Sequence, residues 1–458
     1  MGIQGGIDMS TMTKEHEKQI ISKISYKLLP ILILSYLLCY IDRVNVGYAA
    51  LTMNQELGFT AQVYGMGAGI LFFGYFVFEV PSNIMLEKYG ARFWIARIMI
   101  SWGIVSSCMC LVWNATSFYI LRFLLGVCEA GFFPGVLLYI SYWFPEKYRG
   151  VINSRFYVAQ TFALMIGSAC AGLILQMDGI FGLSGWKWLF LMEGIPTIIF
   201  GFVIYHYLID RPNMASWLTI DERDWLQGEL DAEAAKVDEK NEKEYSILQA
   251  MFHPRVLILS LTYLSLAVGL MGLNLWMPQI VKAFDANGMS NIEVGFIGAV
   301  PYLLAALGLI FIGGKATTPN RIKKIMGTAF ILGGACLILS TFTSSNLFIT
   351  MALISICVVG GYIGQPLFWT IPPKFLTGTA TAVGFAMINS VGNLGGFFGP
   401  YFIGFVKTAT GSFENSLVVL GGCIILCGVL ALYAFSKSQK ELSLSAIIEK
   451  DNNSEQHA

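Results

Sequence analysis

Ionisable residues inside apolar segments are the most informative feature of this sequence. Asp42 and Arg43 stand side by side in LCYIDRVNVGYAA (38–50), and Arg122 and Glu129 lie seven residues apart in another apolar stretch. Seven residues are nearly two helical turns, so Arg122 and Glu129 would share a helix face, about 10 Å apart along its axis. An ionised group at the bilayer centre costs at least about 2.5 kcal/mol. We therefore expect these four charges to face one another or an aqueous cavity.

Two interpretations of the four charges are open, namely a structural salt-bridge network and a transport site. Buried ion pairs seldom add net stability over packed apolar residues. A guanidinium offers paired donors that match a carboxylate, and a desolvated acid is readily protonated near neutral pH. These properties favour a transport site for an anion and protons. For Glu79, which precedes Pro81 near a helix end, a structural or gating contact with the following basic turn is weighed against a coupling role.

Membrane helices are the elements that must position these charges. The 458 residues are 55% hydrophobic and 13% charged, whereas soluble proteins have about 25% charged residues. Continuous apolar runs of roughly 20 residues fit membrane helices and not barrel strands, which alternate. Twelve such runs are predicted: 28–51, 63–84, 92–113, 116–142, 151–175, 187–209, 255–283, 292–314, 322–341, 345–370, 378–405 and 413–436. The sequence thus predicts an all-α integral membrane protein with 12 transmembrane helices.

A long polar interruption divides the predicted helices into six and six. The resulting regions are a cytoplasmic N-terminal segment (1–27), a first six-helix bundle (28–209), a cytoplasmic linker (210–254), a second six-helix bundle (255–436) and a cytoplasmic tail (437–458). In the linker, the capping-box spacing of Thr219 and Glu222 predicts a helix. YSILQAMF (245–252) is apolar enough to lie on the membrane surface. We interpret the linker as a solvated tether and expect the tail to be disordered.

Loop charges predict the orientation of the chain in the membrane. One set of alternate loops carries most of the basic residues: Lys88, Arg92, Lys147, Arg149, Arg155, Lys315, Arg321, Lys323, Lys324 and Lys374. The opposite set has only Lys187, Lys282 and Lys407. By the positive-inside rule both termini are cytoplasmic. We expect a monomeric, multi-pass protein that spans the lipid bilayer of the bacterial inner membrane.

Motifs of other protein classes are missing from the sequence. It has no HExxH, no GxSxG and no cluster with metal-ligand spacing, so catalysis and a metal or other cofactor are not expected. GGKAT (313–317) has Ala316 where a phosphate loop needs Ser or Thr for magnesium. An ion gradient is therefore the expected driving force, and no nucleic-acid partner is expected.

Four stretches carry a resemblance to a known family. They read YIDRVNVGYAA, YFVFEVPSNIMLEKYGAR, LRFLLGVCEAGFFPGVLLYISYWFP and GWKWLFLMEGIP. Together they resemble the anion:cation symporter family of the major facilitator superfamily, most strongly over residues 36–200 and within it the bacterial carriers of tartrate, sugar acids and hydroxyphenylacetate. The superfamily's basic turn usually carries Asp-Arg and Gly-Arg-Arg, whereas this chain has EKYGAR at 87–92.

The resemblance implies a major facilitator fold that works by alternating access, with roles for particular residues. It implies that Asp42 and Glu129 take up protons, that Arg122 pairs with Glu129 within reach of the substrate, and that Arg43 meets the substrate carboxylate. It also implies substrate contacts at Tyr75, Gln160 and Asn393. Gating would fall to the residues of the basic turn: Glu87, Lys88 and Arg92.

The second half must supply specificity without charge. Its polar and aromatic candidates are Asn274, Trp276, Gln279, Tyr302, Gln365, Trp369, Asn389 and Asn393. Asn389 and Asn393 are one turn apart and can face one cavity, and Trp276 and Trp369 would form a wall for the apolar part of a ligand. As a group these residues suit a hydroxylated or aromatic monoacid. Together with the buried charges and the resemblance, they predict proton-coupled symport of a small organic anion into the cell. A proton-coupled exporter of drugs or metabolites is the alternative.

Overall fold

The computed structural model describes residues 14–240, 249, 251–283, 288–316, 318–343, 345–372 and 379–455. Its regular structure within these ranges is helical. The first half contains α1 (Lys14–Glu56), α2 (Ala61–Tyr89), α3 (Ala91–Cys108), α4 (Ala115–Glu129), α5 (Phe132–Trp143), α6 (Glu146–Ile174) and α7 (Gly185–Tyr207), followed by α8 (Ile220–Lys240). The second half contains α9 (Pro254–Ala283), α10 (Asn291–Phe311), α11 (Pro319–Leu339), α12 (Leu347–Phe368), α13 (Thr379–Thr410) and α14 (Glu414–Glu455).

All twelve predicted apolar segments coincide with helices in the described residues. Eleven spans are long and apolar enough to cross a membrane, and α4 and α5 together form one of them. The remaining predicted segment is α13, which is 32 residues long but is made less apolar by its glycines and by Asn389 and Asn393. The prediction of an all-α membrane protein is confirmed.

Gly131 breaks the fourth membrane span into α4 and α5. It adopts a left-handed backbone with φ of 83°, which costs glycine little because it has no Cβ. A Cβ at this position would also lie 2.4 Å from the Ser82 hydroxyl oxygen on α2. The break leaves Glu129 as the last residue of α4, so its side chain lies at a helix C-terminus.

The halves form two bundles, and within the described residues most contacts between them run along three helix pairs. In the first bundle α1 packs on α6 and α7, α2 on α4, and α3 on α7. In the second, α9 packs on α13 and α14, and α11 on α12 and α14. Contacts between the bundles run along α2 with α13, α6 with α10, and α1 with α9. Side chains that lie between these pairs can therefore face both bundles.

Glycines bring the two bundles into backbone contact at one end of the molecule. Two names are used for the ends of the molecule. The basic face is the end at which α2 and α5 terminate, and the opposite face is the end at which α1 terminates. Near the opposite face, a Cβ on Gly65 would lie 2.6 Å from the Pro400 carbonyl oxygen, and one on Gly172 would lie 2.7 Å from the Asn291 carbonyl oxygen. Only glycine permits such close helix packing, so the bundles are closed together at the opposite face.

The linker begins as the sequence predicts but is not a free tether. The capping box is present, because the Thr219 amide donates to Glu222 Oε2 (2.8 Å) and the Glu222 amide donates to Thr219 Oγ1 (3.2 Å). Trp217 stacks on Trp143 with ring centroids 5.6 Å apart, and Lys23 Nζ lies 2.7 Å from a Glu222 oxygen. Apolar burial and ion pairs therefore hold this part of the linker on the first bundle.

Other expectations concern the two ends of the chain, the rest of the linker and one basic loop residue. The N-terminal segment is already helical from residue 14, where α1 begins. Most of YSILQAMF (245–252) and Lys374 lie outside the described residues. The prediction of a disordered tail is wrong for the described residues, because α14 continues to Glu455. The sequence has neither Gly nor Pro after Gly428, so nothing in the backbone chemistry ends the helix.

Candidate functional site

A cavity of about 50 Å³ lies between the two bundles. α1, α2 and α6 contribute to one side of its lining, and α9, α12 and α13 contribute to the other. Aromatic rings, including Tyr40, Phe72 and Tyr263, make up much of the wall. The predicted candidates in the lining are Arg43, Tyr75, Gln160, Gln365, Asn389 and Asn393. The fold thus assembles at one place candidate residues from five different helices.

Arg43 connects this cavity to a buried acid. Its guanidinium forms an ion pair with Glu129, and the Cys39 thiol donates to the same Glu129 oxygen over 3.1 Å. The Glu129 residue is only 1% exposed. The guanidinium carbon of Arg43 also lies 5.2 and 5.5 Å from the ring centres of Tyr40 and Tyr75. Arg43 is therefore held by one acid and by aromatic faces, while it still borders the cavity.

Arg122 occupies a different environment from the one expected. It is fully buried, and it donates to the backbone carbonyl oxygens of Gly67 (3.2 Å) and Ala68 (3.3 Å) on α2. The predicted pairing of Arg122 with Glu129 is wrong in this structure, where Glu129 pairs with Arg43. The reason is packing: a Cβ on Gly126 would lie 1.9 Å from an α2 carbonyl oxygen, so α2 fills the helix face that separates the two side chains.

Asp42 belongs to a second acidic cluster, behind the ion pair. Its Oδ1 accepts hydrogen bonds from Ser106 and, over 3.3 Å, from the Asn45 amide. Glu193 on α7 lies beside Asp42 and Asn45 and is 7% exposed. Both of its carboxyl oxygens are buried, and the Asn45 side chain is a polar neighbour of this carboxyl group. Asp42 and Glu193 thus form a pair of neighbouring buried acids.

Sequence reasoning missed Glu193. The signal was present, because Glu193 is an acid inside the predicted apolar segment 187–209. With it, the buried charged side chains of the described residues are four acids and two arginines: Asp42, Glu79, Glu129, Glu193, Arg43 and Arg122. Uncompensated charge is costly at membrane depth. Among these residues the buried acids therefore outnumber the buried arginines by two.

Glu79 links the two bundles. Its Oε1 accepts a hydrogen bond from the Asn389 amide (2.6 Å), and its Oε2 accepts from Asn393 (3.3 Å) and from the Ser390 hydroxyl (3.4 Å). A contact of Glu79 with the basic turn was one sequence interpretation, and the structure instead gives it partners on α13 of the second bundle. Two of these partners line the cavity, so Glu79 lies directly behind its wall.

The two tryptophans lie away from the cavity lining. Trp276 is fully buried, and its indole nitrogen donates to the Pro400 carbonyl oxygen over 3.1 Å. Trp369 stacks on Phe385 with centroids 5.4 Å apart and meets Tyr263 edge-on. Trp276 thus packs between helices, whereas Trp369 supports Tyr263, which does line the cavity.

The basic turn (87–92) contacts its own bundle. The Arg92 amide donates to Asp210 Oδ1 over 2.8 Å, and its guanidinium lies 4.9 Å from the centre of the Tyr205 ring. Lys88 lies over the Tyr89 ring, and Glu87 is exposed. These contacts hold the turn against the end of α7, and a gating role of Glu87, Lys88 and Arg92 stays a prediction.

Neutral polar groups in the second bundle bind one another. The Tyr302 hydroxyl donates to Asn274 Oδ1 (3.0 Å), and the Asn274 amide donates to the Tyr362 hydroxyl (2.9 Å). Gln365 Nε2 donates to the Tyr263 hydroxyl over 3.2 Å. Several of the predicted polar candidates are therefore partly satisfied within the bundle, and only Gln365, Asn389 and Asn393 among them line the cavity.

Comparison with known proteins agrees with this geometry. Residues 32–400 match the Major Facilitator Superfamily. A protein named putative tartrate transporter from Agrobacterium vitis is 44% identical over 94% of this chain and 94% of its own. A quinolone resistance transporter from Acinetobacter baumannii is 39% identical over 95% and 99%. The inward-facing crystal structure of a bacterial homolog of the lysosomal transporter Spinster has a TM-score of 0.74 at 16% identity, covering 91% of this chain and 98% of that one.

The chain therefore belongs to the Major Facilitator Superfamily. It is a multi-pass membrane transporter and not an enzyme. The resemblance to this superfamily and the fold that it implies are confirmed.

Proposed function

We propose that this protein is a proton-coupled symporter that moves a small organic anion by alternating access. The observation that carries the proposal is the position of Arg43, which borders the cavity while it is paired with the buried Glu129. A guanidinium binds a carboxylate well in such an environment. The name of the relative that is 44% identical, a putative tartrate transporter, supports a carboxylate as the substrate group.

Competition for Arg43 couples the anion to the proton. A substrate carboxylate that binds Arg43 weakens the hold of the guanidinium on Glu129. Glu129 then lies buried at the C-terminus of α4, where the helix dipole disfavours negative charge. Protonation of Glu129 removes this unfavourable charge. Anion and proton therefore occupy the site together, and Arg43 takes the pairing role that the resemblance implies for Arg122.

Asp42 and Glu193 provide a second place for protons in the same bundle. They are neighbouring buried acids, and a proton bound there reduces the repulsion between two carboxylates. Symport then proceeds when the bundles rock around the cavity, with the basic face in the cytoplasm of a bacterial cell. The present cavity of about 50 Å³ is far smaller than the roughly 300 to 1,000 Å³ of ordinary ligand sites, so the bundles must part before the anion enters.

Replacement of Glu129 tests the coupling. In proteoliposomes with an imposed pH gradient, the natural protein should accumulate radiolabelled L-tartrate above the external concentration. Glu129→Gln should abolish accumulation but retain exchange between internal and external tartrate, because Arg43 still binds the carboxylate. Glu15→Gln, the same change at an exposed position, is the matched control. Undiminished accumulation by Glu129→Gln would refute the assignment.

Proton-coupled export of drugs or metabolites is the second candidate function. The 39% identity to a protein named quinolone resistance transporter favours it, as does the excess of buried acids over arginines. A panel of L-, D- and meso-tartrate, D-gluconate, 4-hydroxyphenylacetate and norfloxacin in the exchange assay separates the candidates. Exchange of norfloxacin, with none of the acids exchanged, would favour the exporter.

A further inference from the structure

Glu79 is a buried acid that the coupling scheme does not use. It lies on α2 one turn beyond Tyr75, about 6 Å closer to the basic face. It is 5% exposed, and the salt bridges of the described residues include none to Glu79. Its partners are instead the neutral groups of Asn389, Ser390 and Asn393. A carboxylate in this position therefore needs an explanation beyond charge pairing.

The chemistry of the carboxylate fixes how the two asparagines are oriented. An ionised carboxylate only accepts hydrogen bonds, and an amide NH₂ only donates them. Asn389 and Asn393 must therefore point their NH₂ groups at Glu79, over 2.6 and 3.3 Å. Each keeps its carbonyl oxygen for another partner. Because both asparagines line the cavity, their carbonyl oxygens are hydrogen-bond acceptors at this wall.

A third amide of the same wall is oriented in the same sense. Gln365 lines the cavity, and its NH₂ group donates to the Tyr263 hydroxyl over 3.2 Å. Its carbonyl oxygen also remains as an acceptor. The second bundle therefore lines the cavity with three amides that each use an N–H donor within the protein and keep the carbonyl oxygen as an acceptor. The first bundle contributes the donor groups of Arg43 to the same lining.

We propose that Glu79 is a specificity-determining positioning residue, which holds Asn389 and Asn393 so that the second bundle selects ligands with hydroxyl or N–H donors. The carboxylate of the ligand binds Arg43, and its donor groups meet the amide oxygens across the cavity. This inference rests on the proposed function, because it describes the other side of the same anion site. A ligand that lacks donors leaves buried acceptors unpaired, which is unfavourable.

A purely structural link between the bundles would not require an acid. An amide at residue 79 could bond to the same asparagines without the cost of a buried carboxylate. It would, however, change their orientation. A glutamine accepts from one asparagine and donates to the other, which turns the second amide and points its NH₂ group away from residue 79. Only the acid accepts from both asparagines and so keeps both NH₂ groups directed at residue 79.

A matched pair of ligands tests this inference on the purified full-length protein. L-tartrate and succinate are both four-carbon dicarboxylates, and only tartrate carries hydroxyl groups. Their dissociation constants are measured by isothermal titration calorimetry in nanodiscs. The natural protein should bind tartrate at least about tenfold more tightly than succinate. Glu79→Gln should reduce this preference about tenfold while leaving succinate binding within about twofold.

Two further variants keep the test sharp. Tyr263→Phe removes the hydroxyl that accepts from Gln365, so it frees that NH₂ group and should reduce the preference for tartrate about threefold. It keeps the ring that stacks on Phe368, and so tests the same idea if Glu79→Gln does not fold. Glu15→Gln, at an exposed position, should leave the preference unchanged. Retained succinate binding shows that a variant is folded.

The outcomes separate this inference from the proposed function. An unchanged preference in a folded Glu79→Gln variant overturns the role of Glu79, and so does a natural protein that binds succinate as tightly as tartrate. If Glu79→Gln does not fold, an unchanged preference in Tyr263→Phe overturns the idea that oriented amides select the ligand. In either case Arg43-dependent binding of both ligands would still support an anion site. A natural protein that binds neither ligand overturns this inference. The proposed function fails as well if none of the acids of the exchange panel is transported.

Discussion

The two bundles share an architecture but differ in chemistry. Among the described residues, every buried charged side chain belongs to the first bundle. The buried polar side chains of the second bundle are neutral, for example Asn274, Ser355 and Gln365. The difference teaches that the two tasks of a carrier can be assigned to separate halves. One half manages charge, and the other supplies shape and neutral hydrogen bonds.

Separation of these tasks has an energetic advantage. Ionised groups at membrane depth must keep their partners. Partners that belong to one bundle would stay together during the proposed rocking of the bundles. The Arg43–Glu129 pair joins α1 to α4 inside the first bundle. Glu79 is the exception, because its partners belong to the second bundle. Its hydrogen bonds are therefore among those that must break or rearrange in the proposed motion of the bundles.

Loss of Arg43 should have the largest effect and would test the charged side of this comparison. Arg43→Gln leaves Glu129 buried without its cation, so the protein should lose about 3 to 5 kcal/mol of stability along with tartrate binding. The double variant Arg43→Gln/Glu129→Gln should recover most of the stability but not the binding. Thermal unfolding in detergent and calorimetry measure the two. Equal stability of the single and double variants would show that Arg43 does not stabilise the protein by compensating the charge of Glu129.

A neutral residue of the second bundle should give a smaller effect. Asn274→Ala removes the partner of the Tyr302 and Tyr362 hydroxyls, which should cost about 1 to 3 kcal/mol. The pH dependence of tartrate accumulation should not change. Ser355→Ala is the control, because that hydroxyl bonds only to a carbonyl of its own helix over 2.6 Å. A shifted pH dependence in Asn274→Ala would contradict the assignment of the titrating groups to the first bundle alone.

The contact between α1 and the linker should contribute least. The Lys23–Glu222 pair lies at 2.7 Å with Lys23 41% exposed, so Lys23→Ala should cost less than about 1 kcal/mol. Partial burial acts to raise the pKa of Glu222, but Lys23 and the Thr219 cap hold this pKa below its ordinary value. The contribution is therefore present at neutral pH and is lost as the pH falls through the lowered pKa.

Unfolding temperatures at neutral and acid pH measure this difference. Lys18→Ala, at an exposed position on the same helix, is the control and should have no comparable effect. A pH-independent loss in Lys23→Ala would show that the docked linker does not rely on this pair, and would weaken its assignment to the first bundle.

Particular residues show which features could be predicted from the sequence and which could not. The positions of the membrane helices, the capping box at Thr219 and Glu222, and most of the buried charges follow from local residue patterns. Glu193 was equally visible in the sequence and was overlooked. The partners of the charges were not visible. Arg43 and Glu129 are 86 residues apart, and Glu79 and Asn389 are 310 apart.

The sequence by itself determined that this chain crosses a membrane as apolar helices and that ionisable groups lie within them, because hydropathy and charge are properties of single residues and short segments. Only the tertiary structure decided that Glu129 meets Arg43, that Arg122 binds backbone carbonyls, and that Glu79 reaches the second bundle. These choices depend on the rotation and separation of helices, which close packing at glycines such as Gly126 fixes and no local pattern records.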